Sequence, residues 1–458
     1  MTDNHYQVTL DASSRVLDDL ANVTDLDAID WTFEGWDTHE YTHGLHPYPA
    51  RMAPQIVRAL LSYYDHQGVI SPGDLVYDPF SGSGTTSVEA RLAGYDTQAN
   101  DINPLATLLT LAKARPLPAD RLAAFQEALI DGLAVDLREV RERYEMGESF
   151  PDLDAPAVRD GWFPQPQLWE LCFIRDRIDD LEADWEGDRA ADLARFARVA
   201  LSKTTRATSY QRNGEFKRYR LAEADRERHD PNVYDTFERE LAANVGMMNA
   251  YAEAAAHDRT SEVFLADSRT AADIETDSAD IVITSPPYGD HTTTVAYGQF
   301  SKDPAIVAWG RSYEEMQRVD KIGLGGPTRT LEPLDTLEQW SPALAATMET
   351  LRDTEGRADD ALAFFTDYYA VMEQVARVLK PGQPVAWVVA NRTMSRVTVP
   401  THLITKELCE RIGFEHRHML AREIPTKTLP WENAPENTPG VTDDLMATEY
   451  IVAMTAPE

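Results

Sequence analysis

The chain predicts an α/β fold, a doubly wound, mainly parallel sheet of Rossmann-like type with a helical insertion. Three observations carry this. Short apolar runs end abruptly at acids or prolines, as Leu75-Val76-Tyr77 does at Asp78 and Ile281-Val282-Ile283 does just before Pro286-Pro287. A glycine-rich turn follows the first of these runs and leads into a helix of small residues. Between the second and third runs lie long charged segments with helical rather than strand periodicity.

Residues 1–38 are polar and acidic and read as a lead-in. His39 to Met52 is a loop with three histidines beside Pro47 and Pro49. No Cys or carboxylate ligand set accompanies them, so no metal is expected there. Ile56, Val57, Leu60, Leu61 and Tyr64 mark one face of a helix that starts at Pro54. Leu75–Tyr77 is a buried strand. Asp78-Pro79-Phe80-Ser81-Gly82-Ser83-Gly84-Thr85 is the turn behind it, and Gly94 closes the next helix. In such a unit the glycines allow close backbone approach, and the helix amino terminus favours an anion such as a carboxylate. A second strand ends at Asp101, where a carboxylate meets a ribose diol in this architecture.

Residues 39–115 are thus the cofactor-binding half, 116–260 the helical insertion and 261–458 the catalytic half. In the last, Val263–Ala266 is a strand ending at Asp267, and 291–360 reads as loop-rich. Ala361–Val378 is helical, Pro384–Val389 is a buried strand, Leu403–Ile412 is a helix, and Glu449–Met454 closes as a strand after a polar segment. About seven strands are expected.

Thr284-Ser285-Pro286-Pro287-Tyr288 leaves its strand sharply, because proline cannot donate to a ladder and holds the preceding residue extended. The result is a stiff loop at a strand's carboxyl end, bearing carbonyls, a hydroxyl and a ring where α/β sheets bind ligands. It suits a flat polar group.

The balance of 77 acidic against 43 basic residues gives a net charge of −34, with 8 Lys against 35 Arg. The acids are spread along the whole chain, which fits hydration in a salty cytoplasm such as that of a halophilic archaeon. Against this background Leu201–Arg220 stands out. Lys203, Arg206, Arg212, Lys217, Arg218 and Arg220 oppose Glu215 alone, with Tyr210, Phe216 and Tyr219 interleaved. This is the expected phosphate-contacting strip, hence a DNA contact. Cys172 and Cys409 are too few for a disulfide framework, and neither follows a proline as a pyrimidine-attacking nucleophile would. No apolar run approaches the roughly 20 residues of a membrane span. The expected location is the cytoplasm.

Asp78-Pro-Phe-Ser-Gly-Ser-Gly-Thr-Thr86 together with Ser285-Pro-Pro-Tyr288 resembles the amino-group DNA methyltransferases that use S-adenosylmethionine. The serine form of the second motif looks most like the cytosine-N4 branch, and the adenine-N6 branch more often carries Asp. His46-Pro-Tyr-Pro-Ala-Arg51 is similar to the segment that closes over the methionine end of the cofactor.

The resemblance implies a Rossmann-like methyltransferase sheet with S-adenosylmethionine as cofactor. It implies that Asp78, Pro79, Gly82, Gly84 and Thr85 hold the methionine moiety and Phe80 meets the adenine. Asp101 would take the ribose and Asp267 would lie near the adenine, with His46 and Arg51 closing the site. It further implies that Ser285 and the Pro286 carbonyl accept from the target amino group, with Pro287 and Tyr288 completing the catalytic loop and Tyr288 stacking on the base. The expected partner is double-stranded DNA, with a cognate restriction endonuclease if the enzyme belongs to a restriction–modification system rather than acting alone. Target recognition falls in the insertion, in 291–360 or in both, and Arg422–Trp431 is a further candidate contact.

Three rivals are weighed. An RNA guanine-N2 methyltransferase uses the same physics but usually carries an added amino-terminal RNA module. A non-catalytic DNA-binding protein would have no use for both motifs. An NAD-dependent dehydrogenase would have a third glycine in the turn.

Overall fold

The computed structural model describes residues 20–148, 150, 153, 158–186, 189–212, 218–289, 297–327, 334–424, 432–433, 443–444 and 448–458. Seven strands form one sheet: β1 Leu75–Asp78, β2 Asp96–Asp101, β3 Ser261–Leu265, β4 Ile281–Thr284, β5 Pro384–Ala390, β6 Glu415–Glu423 and β7 Thr448–Thr455. Their order is 3-2-1-4-5-7-6. Strands β1 to β5 pair in parallel, and β7 runs antiparallel to both neighbours.

Alternation along the strands sends side chains to two separate layers. Tyr77, Val282, Val385 and Trp387 pack beneath helices α12 (Arg357–Val378) and α13 (Thr401–Ile412). Val76, Ile281, Ile283 and Val388 face α1 (Pro54–His66). Every residue of β5 is buried, as a central strand covered on both faces requires.

Helices α2 (Thr85–Leu92) and α3 (Pro104–Ala114) flank β2 in sequence. The insertion follows as α4 Ala119–Ile130, α5 Leu133–Glu145, α6 Gln165–Asp184, α7 Ala190–Thr208 and α8 Val233–Ala254. Its Phe125, Leu171, Phe196 and Phe237 share one apolar cluster with Phe300 and Ile306. Those two residues sit on α9 (Tyr297–Trp309), which precedes α10 (Tyr313–Ile322) and α11 (Pro342–Leu351). The described residues of 291–360, expected as loop-rich, are therefore largely helical, because the apolar residues of α9 and α10 find partners in the insertion and those of α11 beside α12 and α13.

Within the polar segment after α13, Glu415–Glu423 is β6, an edge strand in which exposed residues alternate with half-buried and buried ones. Its partner is β7, and together they form the antiparallel hairpin that closes the sheet.

The basic strip is broken up. Arg206 is 8% exposed, and its guanidinium lies 3.9 Å from the Phe300 ring centroid. Arg218 pairs with Asp303 and covers the Trp162 ring. Lys203 bonds Glu240 at 2.6 Å. Arg206 and Arg218 thus fasten the insertion to α9 instead of facing solvent. Arg212 and Arg220 are exposed, and Lys217 lies outside the described residues.

Candidate active site

The carboxyl ends of β1, β2 and β4 open into one cleft of about 1080 Å³, its mouth included. At the end of β1 the backbone turns through Gly82 and Gly84, with φ of +50° and +84°. A Cβ on Gly84 would meet the Thr110 Cα at 2.9 Å, so this position requires glycine on two counts. The turn closes as the Gly84 N–H donates to the Ser81 carbonyl (2.7 Å). Helix α2 then starts at Thr85, which lines the cleft.

Asp78 ties the two sequence motifs together. Its Oδ1 accepts from the Thr284 hydroxyl (2.6 Å) and from the Phe80 N–H (3.0 Å). The Thr86 hydroxyl donates to the Ile283 carbonyl (3.1 Å), a second link between the glycine turn and β4. Burial raises the Asp78 carboxyl to about 6, although both hydrogen bonds pull it down. Asp101 accepts from the Gly82 N–H (2.9 Å) and the Asn103 N–H (2.8 Å), and burial raises it to about 7.

Asp78, Pro79, Phe80, Gly82, Thr85, Asp101, Asp267, Arg51, Ser285 and Pro287 all line the cleft. Gly84 is absent from the wall and acts through the shape of the turn. His46 is also absent from the wall. It is 1% exposed and bonds the Ser202 hydroxyl (2.8 Å) and the Pro47 carbonyl (2.6 Å), behind Tyr48. Asp267 receives Arg269 through Nε (3.0 Å) and Nη2 (2.6 Å). Pro286 is buried, and Tyr288 turns its hydroxyl to Glu449 Oε1 (2.9 Å); neither is on the cleft wall.

Several site residues were missed from sequence. Tyr48 and Tyr297 stack with centroids 5.9 Å apart and both line the cleft. Asn103 donates to the Tyr48 hydroxyl (3.0 Å) and to Ser301 (2.7 Å), while its own Oδ1 caps α3. Its position directly before Pro104 was the available signal, since Asn-Pro is a helix-start pattern. Asp320 on α10 adds a further carboxylate to the wall. Nothing local marks Tyr297 or Asp320.

The donor set fits a cofactor that is flat at one end and cationic at the other. Carboxylates of Asp78, Asp101, Asp267 and Asp320 share the cleft with the rings of Phe80, Tyr48 and Tyr297. The amino terminus of α2 faces the same turn. A purine, a sulfonium and a carboxylate each find complementary groups there.

Among the described residues there is no group of His, Cys, Asp and Glu suited to a metal, and no helix long and apolar enough to cross a membrane.

Strand order and cleft together describe a Rossmann-like sheet with a ligand site at the carboxyl ends of its parallel strands. Residues 6–105 match the DNA methylase family of N6/N4 methyltransferases. A type II methyltransferase from Kocuria varians, M.MvaI, is 32% identical over 436 residues, covering 92% of each chain. M.MjaII from Methanocaldococcus jannaschii is 32% identical over 83 residues, 18% of this chain and 15% of the relative. The chain belongs to the DNA methylase family.

Among solved structures, a protein described as a DNA modification methylase from Thermus thermophilus, complexed with S-adenosyl-L-methionine, is 19% identical. It covers 42% of this chain and 54% of its own, with a TM-score of 0.22. An S-adenosylmethionine-dependent methyltransferase from Methanosarcina mazei is 9% identical, covers 86% and 98%, and has a TM-score of 0.28.

Proposed function

We propose that the protein methylates the exocyclic amino group of a base in double-stranded DNA at a specific sequence. S-adenosylmethionine is the donor, and cytosine N4 is the acceptor. The observation that supports this is the 2.6 Å bond between Asp78 and Thr284, which joins the strand end before the glycine turn to the strand end before Ser285. The serine in that loop, where adenine-specific relatives more often have Asp, favours cytosine. The enzyme serves a restriction–modification system with a cognate endonuclease or acts alone, in a salt-rich cytoplasm that matches its acidic surface.

When bound, S-adenosylmethionine supplies an electrophilic methyl group. Asp78, Pro79, Gly82, Gly84 and Thr85 hold its methionine end, with Arg51 over it. Phe80 and Asp267 take the adenine and Asp101 the ribose.

An exocyclic amine conjugated to a pyrimidine is a weak nucleophile because its lone pair is delocalised. Ser285 and the Pro286 carbonyl accept its N–H groups, bend the nitrogen toward tetrahedral and localise the lone pair toward the methyl group. This is orientation plus preorganised electrostatics. Pro287 stiffens the loop, and the Tyr288 ring stacks on the base after it leaves the duplex. Arg212 and Arg220, exposed on the insertion, contact phosphates.

The test is single-molecule sequencing of DNA from a host that expresses the protein, beside a Ser285→Ala control. Discrete sites with N4-methylcytosine, lost in the control, are expected. N6-methyladenine would reassign the base, and unmodified DNA under the protein's own salt conditions would overturn the reading.

A further inference from the structure

A serine hydroxyl orients an amine but is a poor base, and the reaction has a proton to dispose of. As the amine lone pair forms the N–CH₃ bond, the S–CH₃ bond breaks and its electrons stay on sulfur. The nitrogen is left cationic with one hydrogen too many. Ser285 accepts that proton only if it passes its own onward at the same time.

The structure shows where onward is. Ser285 Oγ and the Tyr288 hydroxyl oxygen lie 3.4 Å apart, and the Tyr288 hydroxyl donates to Glu449 Oε1 at 2.9 Å. Glu449 Oε2 in turn accepts from Arg422 Nη1 at 3.0 Å. Glu449 is 8% exposed and Arg422 6%. This arrangement follows from topology. Strand β7 runs antiparallel to β5, so Glu449, near its amino-terminal end, lies opposite Ala390, at the edge where β5 ends. On its other side it lies opposite Arg422 of β6. The guanidinium holds one oxygen of the Glu449 carboxylate and leaves the other to accept from the Tyr288 hydroxyl. Burial, and then the nearby Glu449 charge, hold the Tyr288 hydroxyl well above its ordinary value, so it carries a proton to pass on.

We infer that Glu449 is the terminal acceptor of the proton released by the methylated amine, reached through the hydroxyls of Ser285 and Tyr288 and held in place by Arg422. The amine proton goes to Ser285 Oγ, the Ser285 proton to the Tyr288 oxygen, and the Tyr288 proton to Glu449 Oε1. Both hydroxyls end neutral and Glu449 ends as the acid. The inference rests on the amino-methylation reading above.

Tyr288→Phe keeps the stacking ring and removes the hydroxyl. Glu449→Gln keeps an acceptor for the Tyr288 hydroxyl but cannot take its proton. Each should leave cofactor and DNA affinity within a few-fold of wild type while slowing single-turnover methyl transfer by about a hundred-fold. Because either change cuts the same chain, the double variant should be no slower than either single one. If Glu449→Gln unfolds, Tyr288→Phe still carries the test, with loss of the wild-type solvent deuterium effect on transfer as its second readout. Tyr288→Phe at near wild-type rate, or single effects that multiply in the double variant, would overturn the relay and leave the DNA-methylation reading standing. A wild-type protein that transfers no methyl to DNA would overturn both.

Discussion

Asp78 and Asp101 are two cleft carboxylates whose chemistry departs from the ordinary. Burial raises them to about 6 and about 7 respectively, so the folded cleft holds protons near neutrality that an unfolded chain would have lost. A cationic cofactor favours both as anions and expels those protons. Affinity for S-adenosylmethionine should therefore rise as pH goes from about 5.5 to 7.5, with proton release visible by calorimetry in buffers of different ionisation enthalpy. An affinity independent of pH would contradict this. The same shifts fix a sign for stability. Above the unfolded-state value the folded protein binds more protons than the unfolded one. The contribution of these two groups to stability thus falls as pH rises from about 4 to 7. The motif residues were legible because each lies in a continuous pattern with its own local reason. Glu449 was not, since its role depends on a tyrosine 161 residues away in sequence.

At the scale of elements, the turn between β1 and α2 has least freedom. Gly84→Ala would force a side chain into a left-handed conformation and against the Thr110 backbone, at a cost of about 2 kcal/mol or more. A markedly lower melting temperature and weaker cofactor binding are expected. Gly246→Ala, within α8 and with nothing within 4 Å of the added Cβ, is the control and should be neutral or slightly stabilising. An equal loss in both variants would refute the argument. Apolar runs disclosed β1, β4 and β5 and helical periodicity disclosed α1, because each buries a continuous set of side chains. Strand β6 escaped because it is an exposed edge whose polar side chains hide its pairing. The helices of 291–360 escaped for a related reason, as the apolar residues of α9 and α10 make sense only beside the insertion and those of α11 only beside α12 and α13. Arg206 and Arg218 show the limit of charge counting: Asp303, the acid facing them, lies 85 residues beyond Arg218.

For the whole molecule, self-repulsion is the dominant electrostatic fact. A net charge of −34 disfavours the compact state whenever it is unscreened. The range of that repulsion shrinks from about 10 Å at 0.1 M salt to about 3 Å at 1 M. The melting temperature should therefore climb steeply with potassium chloride over that range, measured by calorimetry. A flat or falling trend would count against the salt-adapted reading. Composition made this property plain, whereas the surface that reads the target sequence has no such signature.

The insertion also sets a timetable. The Leu75 N–H donates to Asp280, 205 residues further along the chain, at the seam where β1 meets β4. A ribosome adding about 5–20 residues per second needs about 10–40 s to cover that interval. Throughout it β1 presents an open hydrogen-bonding edge on the side that β4 will occupy. A nascent chain of this protein thus spends much of its synthesis as an unfinished sheet, and it is then, rather than once released, that it most needs shielding from its neighbours.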